Sequence, residues 1–363
     1  MTDRPREMTS AIEADDRLDQ YNYVLPKDRI AAEPATRRDA SRLLVVDRHR
    51  LDVEHGQFSR LSSYLSVGDL LVVNDARVIP ARLRALRTTG GEVEVVLHPT
   101  GLEAPMIGGR RQALALLKPS ARIKAGEELR TAHGLSLRVE DPPGAEIRRV
   151  SFTADLEQFL EHGLLPLPPY LPRPPFAEMP FDRDRYQTIF ADRPGAIAAP
   201  TAGLHFTSDL IDRLQGQGIE IARITLHVGP GTFLPVRTRR LSEHSMQEEA
   251  YEIPLCTVQS IERAKSRRRR VVAVGTTTTR ALESAALQGG VPTAGKGRTR
   301  LMIRPPFDFR CVDALITNFH LPRSTLLALV AAFAGRARVL DWYRTAVDQG
   351  YRFYSYGDAM LIL

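Results

Sequence analysis

Three histidines and a run of hydroxyls carry the chemistry most visible in this chain, because each stands in a short polar loop directly after an apolar run. The loops are Ala199-Pro-Thr-Ala-Gly-Leu-His-Phe-Thr207, Leu226-His-Val-Gly-Pro-Gly-Thr-Phe233, Gly275-Thr-Thr-Thr-Thr-Arg280 and Thr317-Asn-Phe-His-Leu-Pro322. His205, His227 and His320 are groups able to take or give a proton near neutral pH. The threonines follow a strand pattern and open a helix pattern, a place where hydroxyls and backbone N–H groups hold phosphate, carboxylate or ribose. Loops at the carboxyl ends of strands in an open α/β sheet converge on one crevice. The four loops are therefore expected to assemble one polar site from residues 199–320.

Other chemistries are less well served. Three histidines match the ligand count of a catalytic zinc site, but no HExxH occurs and no two of them share a helix face. Acid–base or hydrogen-bonding roles are expected, and no metal. Gly229-Pro-Gly-Thr232 follows a strand, yet it lacks the third glycine of a dinucleotide fingerprint and runs into Pro235. It is either a turn whose N–H groups face an anion or a sugar, or a plain turn. Arg267-Arg-Arg-Arg270 is either a solvated helix end, where cations suit the dipole, or a phosphate contact.

The elements that must position these groups fall into three zones. Apolar runs at Ser41–Asp47 and Leu70–Val73 read as strands covered on both faces, with a short helix at Phe58–Leu65 between them. From Pro80 to Pro168 the character changes to short strand-like segments (Ala81–Leu86, Glu92–His98, Gln112–Leu117, Leu135–Glu140, Ile147–Thr153) punctuated by glycine and proline, which predicts a small antiparallel barrel. A helix at Asp155–His162 ends at Gly163, and a stiff proline-rich connector follows. The third zone alternates strands at Ile219–His227, Val271–Val274 and Cys311–Thr317 with helices at Ser208–Gln215, Thr257–Ser266, Thr279–Leu287 and Ser324–Ala334. Such alternation predicts a mainly parallel sheet. The expected fold class is α/β: a discontinuous α/β main domain, residues 21–79 plus 169–363, with a small antiparallel β-barrel domain inserted at 80–168, after a disordered tail at 1–20.

Composition frames the function. At 363 residues, 43% hydrophobic and 26% charged, the chain has the make-up of a globular protein. No run of 18 apolar residues occurs, so no membrane partner is expected, and the polar N-terminal segment lacks a secretory h-region. Two cysteines, Cys256 and Cys311, exclude a disulfide framework and suit the cytoplasm. A net charge of +7 and a pI near 9.6 suit a polyanionic partner. Only five of the 50 basic residues are lysine, however, and a GC-rich genome produces the same arginine bias.

Longer motifs give the polyanion a name. In order they are Tyr23-Val-Leu-Pro26, Arg38-Asp-Ala-Ser-Arg-Leu43, Asn74-Asp-Ala-Arg-Val-Ile-Pro-Ala-Arg-Leu83, Pro166-Leu-Pro-Pro-Tyr170, Arg185-Tyr-Gln187, Pro194-Gly-Ala196, the four loops above and Phe353-Tyr-Ser-Tyr-Gly-Asp-Ala-Met360. Over residues 21–362 the sequence resembles the S-adenosylmethionine:tRNA ribosyltransferase-isomerases of queuosine biosynthesis, the QueA family. It departs from the family pattern at Gln112, Ala250 and Pro230.

The resemblance implies an α/β domain with an inserted barrel and a tRNA-modifying transferase-isomerase. S-adenosylmethionine (SAM) would be the ribosyl-donating co-substrate. The acceptor would be the aminomethyl group of 7-aminomethyl-7-deazaguanine (preQ1) at the wobble position of a tRNA. The products would be epoxyqueuosine-tRNA, adenine and methionine, and the enzyme is expected to be a cytoplasmic monomer. His205, His227 and His320 would then be the acid or base groups. Donor contacts are expected from Gly203, Gly229, Gly231, Thr232, Thr276, Thr277, Thr278, Thr279, Arg280 and Asn318. Substrate and tRNA contacts are expected from Asn74, Arg77, Tyr170, Tyr186, Arg267, Arg268, Arg269, Arg270, Arg323, Tyr356 and Asp358. The rival classes are a zinc hydrolase built on the histidines and a non-catalytic RNA-binding protein.

Overall fold

The computed structural model describes residues 13–363 apart from 49, 51, 99–105, 154 and 288. Its larger sheet has nine strands among the described residues: β1 Arg42–Val46, β2 Val53–Gln57, β3 Leu70–Asn74, β13 Glu220–Leu226, β14 Glu249–Ile253, β15 Val271–Val274, β16 Gly295–Thr299, β17 Ala314–Asn318 and β18 Ala359–Ile362. Their spatial order is β16-β14-β13-β3-β15-β17-β18-β1-β2. The continuous apolar runs become the centre, since β3, β15, β17 and β18 are buried along their whole lengths. The sheet is mixed and not mainly parallel. β13, β3, β15 and β17 run parallel, and so do β18 and β1, but β18 opposes β17 and both margins are antiparallel.

The second zone folds as expected into a barrel. Its strands are β5 Arg82–Arg87, β6 Glu92–Leu97, β7 Met106–Ile107, β8 Arg110–Lys118, β9 Glu128–Thr131, β10 Ser136–Val139 and β11 Ile147–Phe152. β8 pairs with both β6 and β11, so six strands close a ring and the short β7 hangs from β8 as a hairpin. Alternation sets the register: Val93 and Val95 point inward, Glu92 and Glu94 outward. The protein is thus α/β with a closed antiparallel barrel.

The ends of the barrel segment meet, since Arg82 and Leu164 exchange backbone hydrogen bonds of 3.0 and 2.8 Å. Asp155 caps helix Leu156–Glu161 in a capping box with Gln158. Gly163 closes that helix for a reason other than a left-handed cap. A Cβ there would lie 1.7 Å from the Pro80 carbonyl oxygen, so only glycine lets the two backbone segments approach. The proline-rich connector is packed, with Leu165, Leu167 and Leu171 buried against Tyr186 and Tyr356.

Two smaller strands, β4 Ala76–Val78 and β12 Arg193–Ala196, pair beside the main sheet. The expected tail is corrected from residue 13 onward. Leu18 and Tyr21 join the main core, and the Asp16 carboxylate accepts bonds from the Ser242 N–H and hydroxyl. Residues 1–12 lie outside the described region.

Candidate functional site

The parallel strands β13, β3, β15 and β17 deliver their carboxyl ends to one edge, where hydrogen bonds tie the loops together. The Asn74 side chain spans the first gap: its Oδ1 accepts from the N–H groups of Leu226 (3.1 Å) and Ala76 (3.0 Å), and its Nδ2 donates to the Leu226 carbonyl (3.0 Å). The same Nδ2 lies 3.5 Å from Thr277 Oγ1. Gly275 donates to the Ile316 carbonyl at 2.8 Å, and Ile197 to that of Val228 at 2.8 Å. Gly275 adopts a φ of 93°, which sets the turn from β15 into helix Thr276–Ala286.

The three imidazoles do not gather in one cavity. Thr317 and Asn318 are consecutive in β17, so their side chains leave opposite faces. His205 bonds to Asn318 at 3.0 Å and His320 to Thr317 at 2.7 Å, which places the two rings on either side of the sheet. Both are buried, and burial lowers the pKa of each to about 3. Asn318 Nδ2 also lies 3.2 Å from the Tyr354 carbonyl and 3.4 Å from that of Asp358, so this end of the amide is the donor. His205 Nε2 is then the acceptor, and its Nδ1–H donates to Ser41 Oγ at 2.8 Å. A histidine donating to a serine cannot take that serine's proton, so this is not a nucleophilic dyad. His320 is held by core partners, with its N–H donating to the Tyr343 hydroxyl and its carbonyl accepting from Tyr23. His227 is half-buried at the end of β13, its N–H donating to the Ala250 carbonyl at 3.1 Å. Among the described residues no group of three or more His, Cys, Asp or Glu is placed to hold a metal ion.

The glycine turn after β13 binds an anion of its own chain: the Gly229 N–H donates to Glu249 Oε1 at 3.3 Å. Neither Gly229 nor Gly231 has a positive φ. A Cβ would stand 3.2 Å from His98 Nε2 at Gly229 and 2.5 Å from Gln247 Oε1 at Gly231, so both glycines make room for neighbours. His98, at the end of β6, is buried where the barrel meets this turn, and burial lowers its pKa to about 4.

Arg280 is not an open ligand contact. It pairs with buried Glu249 and donates Nε to the Leu301 carbonyl at 3.0 Å. Two of the four threonines are also spent internally, Thr278 on the Val274 carbonyl (2.7 Å) and Thr279 on that of Gly275 (3.1 Å). Thr276 is buried and Thr277 half-buried at the helix start, while Thr232 is exposed. Gly203 is buried, and a Cβ there would meet Thr188 at 2.9 Å.

The remaining expected residues divide by position. Arg77 and Arg323 are exposed at the carboxyl edge, donating to the Ala191 carbonyl (3.0 Å) and to Asn22 Oδ1 (3.3 Å). Tyr170 is half-buried, its ring 3.9 Å from that of Tyr354. Tyr186 is corrected as a base-stacking candidate, because it is 1% exposed and packed against Tyr356. Tyr356 is buried and donates to Asp182 at 3.2 Å. Asp358 is buried as a backbone staple, accepting from the N–H groups of Arg42 (2.9 Å) and Arg352 (2.8 Å). Arg267–Arg270 precede Val271, and β15 starts opposite Leu70. They therefore sit at the amino ends of the strands, the far side of the sheet from the crevice.

Sequence reasoning missed Ser41, Glu249 and His98 as members of this region. Ser41 stands inside the Arg38–Leu43 motif, but its partnership with His205 spans the chain.

An α/β protein with polar loops at its strand ends and a closed barrel packed against the adjoining glycine turn is the class that the fold defines. A family model described as "Queuosine biosynthesis protein" matches residues 18–362. The chain belongs to that family. It is 49% identical over 356 residues to an S-adenosylmethionine:tRNA ribosyltransferase-isomerase of Thermus thermophilus, covering 95% of this chain and 99% of that one. To the protein of the same name from Gloeobacter violaceus it is 50% identical, covering 97% of each. Among solved structures, the S-adenosylmethionine tRNA ribosyltransferase of Thermotoga maritima superposes with a TM-score of 0.54 at 38% identity, over 95% of this chain and 100% of that one.

Proposed function

We propose that this protein transfers and isomerises the ribosyl moiety of S-adenosylmethionine onto the aminomethyl group of preQ1 at the wobble position of a tRNA, giving epoxyqueuosine-tRNA with release of adenine and methionine. The observation that carries the reading is near-full-length identity of about half to enzymes of that name. We also propose residues 80–168 as a separate inserted domain, the cytoplasm as the site of action, a single chain as the working unit, and a reaction that needs no metal ion. No helix among the described residues is long and apolar enough to cross a membrane.

The sulfonium of the donor acidifies its C5′ hydrogens, so the first demand is a base. His205 and His320 suit that role poorly, since both are buried, already bonded and held neutral far below neutral pH. His227, half-buried at the strand edge, is the imidazole assigned to proton transfer. Thr276, Thr277 and Asn74 supply uncharged hydrogen-bonding groups for a ribose. Asn318 Oδ1 is a buried acceptor with no partner among the described residues, available to a ligand N–H or O–H. Arg77 and Arg323, exposed at the same edge, are the candidates for tRNA phosphates, and the outer face of Tyr170 for a splayed base.

Incubating the protein with S-adenosylmethionine and preQ1-containing tRNA should release adenine in step with tRNA modification. Tight tRNA binding without adenine would replace this reading with that of a non-catalytic RNA-binding protein.

A further inference from the structure

A pocket beside these strand ends holds two arginines that nothing above uses. Arg38, Ser41, Arg185, His205, Ser355 and Tyr356 are among its walls. It opens at the same edge of the sheet, because β1 and β18 begin where β17 ends. His205 belongs to both places: one face lines the pocket, and its Nε2 meets Asn318 in the crevice.

The two guanidiniums are fixed by neutral groups. Arg38 donates to the carbonyls of Gln187 and Asp184, both at 2.8 Å, and Arg185 to those of Ala35 (2.7 Å) and Thr36 (3.3 Å). Backbone carbonyls orient an arginine without neutralising it. The carboxylate of Asp184 lies 3.7 Å from Arg38, but its side chain is 82% exposed. Among the described residues no carboxylate pairs with Arg185, and its Nε is buried without a hydrogen-bond partner. Burial, with a further contribution from repulsion by Arg185, holds the Arg38 pKa below its ordinary value. Arg38 and Arg352 also bear on His205 and help to keep it neutral. Two partly desolvated cations with an unused donor suit an anionic ligand.

We infer that this pocket binds the carboxylate of the donor's amino-acid tail, with Arg185 as the principal contact and Arg38 beside it. The inference rests on the proposed function and names the subsite that anchors the co-substrate.

The test compares two sulfonium nucleosides, S-adenosylmethionine and its decarboxylated form, with saturating preQ1-tRNA. The wild-type enzyme should show a KM for the decarboxylated donor raised roughly 10- to 100-fold, the worth of a hydrogen bond to a charged group. Arg185→Gln should raise the KM for S-adenosylmethionine by a similar factor and leave that for the decarboxylated donor nearly unchanged. Equal KM values for the two donors on the wild-type enzyme would overturn the inference, and that comparison holds even where Arg185→Gln fails to fold. A variant that raises both KM values alike would also overturn it. So would one that raises the KM for tRNA and flattens its salt dependence, which would make the anion a phosphate. If the wild-type enzyme releases no adenine from S-adenosylmethionine, the functional reading itself falls and the inference with it.

Discussion

At the carboxyl ends of the central strands arginine is enclosed: Arg280 pairs with buried Glu249, and Arg38 and Arg185 are wrapped by backbone carbonyls. At the amino ends of the same strands Arg267, Arg268 and Arg269 are exposed, and Arg270 clasps buried Asp69. The exposed run is the more conspicuous in the sequence, yet it caps a helix end on the side away from the crevice. Enclosed cations have lost water and need a partner, whereas exposed ones are satisfied by solvent. The strand end a charge occupies, more than its local density, decides whether it serves a site.

The sharpest break in this comparison is His227→Ala, which should lower the rate of adenine release by roughly 10²- to 10⁴-fold, the ordinary range for a lost acid–base group. A rate close to wild type would remove proton transfer from this edge. Next in size, Arg280→Ala strands the buried Glu249 carboxylate and should cost about 3–5 kcal/mol of stability, read from denaturant unfolding. An unchanged midpoint would mean that the pair is not desolvated.

Acid should have a broader effect on the same buried edge. His98, His205 and His320 protonate near 6.5 once unfolded, but in the fold their pKa values are lowered to about 4, 3 and 3. Between those limits the unfolded chain binds more protons, so stability should fall steadily as pH drops below 6.5. Thermal unfolding of His205→Gln should show a shallower acid slope than wild type, and parallel slopes would exclude that imidazole. The smallest effect is expected at the opposite end. Replacing Arg267, Arg268 and Arg269 together by Gln should change stability by about 0.5 kcal/mol or less. Catalytic efficiency toward tRNA should stay close to wild type, and a large fall would show that RNA reaches both ends of the strands.

Legibility of the fold followed periodicity. The fully apolar runs of β1, β3 and β15 and the alternating β6 were read within a residue or two of their observed bounds. β9 was missed because Glu128–Thr131 is too short to show a period, and β18 because five apolar positions near the end of the sequence mark neither strand nor helix alone. Helix Arg336–Asp348 went unread although Val339, Leu340, Trp342, Tyr343 and Ala346 form its buried stripe. Gly335 at φ 89° ends the preceding helix and begins this one, so a breaker there masked the restart.

The site was legible as a region and less so as a set of roles. Strand polarity brings the loops after β13, β15 and β17 to one edge, whereas the Ala199–Thr207 loop follows β12 of the two-stranded sheet and reaches that edge through the His205–Asn318 hydrogen bond. The states of their residues depend on partners far away in sequence. Asn318 fixes the tautomer of His205, Glu249 occupies the glycine turn, and the strand pleat sends His205 and His320 to opposite faces. Threonine spacing gave no sign that Thr278 and Thr279 bond back into their own helix.

β18 has a consequence for how the molecule is made. It is the last strand in chain order, yet it lies inside the sheet between β17 and β1. During synthesis the β1–β2 hairpin emerges from the ribosome first and must wait, with one long edge unpaired, until residues 359–362 arrive to join it to the other strands. Pairing β1 with β18 brings Leu43 beside Ala359, a contact far apart in sequence whose loop closure is costly in entropy. Until β18 pairs with it, β1 presents an unpaired strand edge of the kind that invites association.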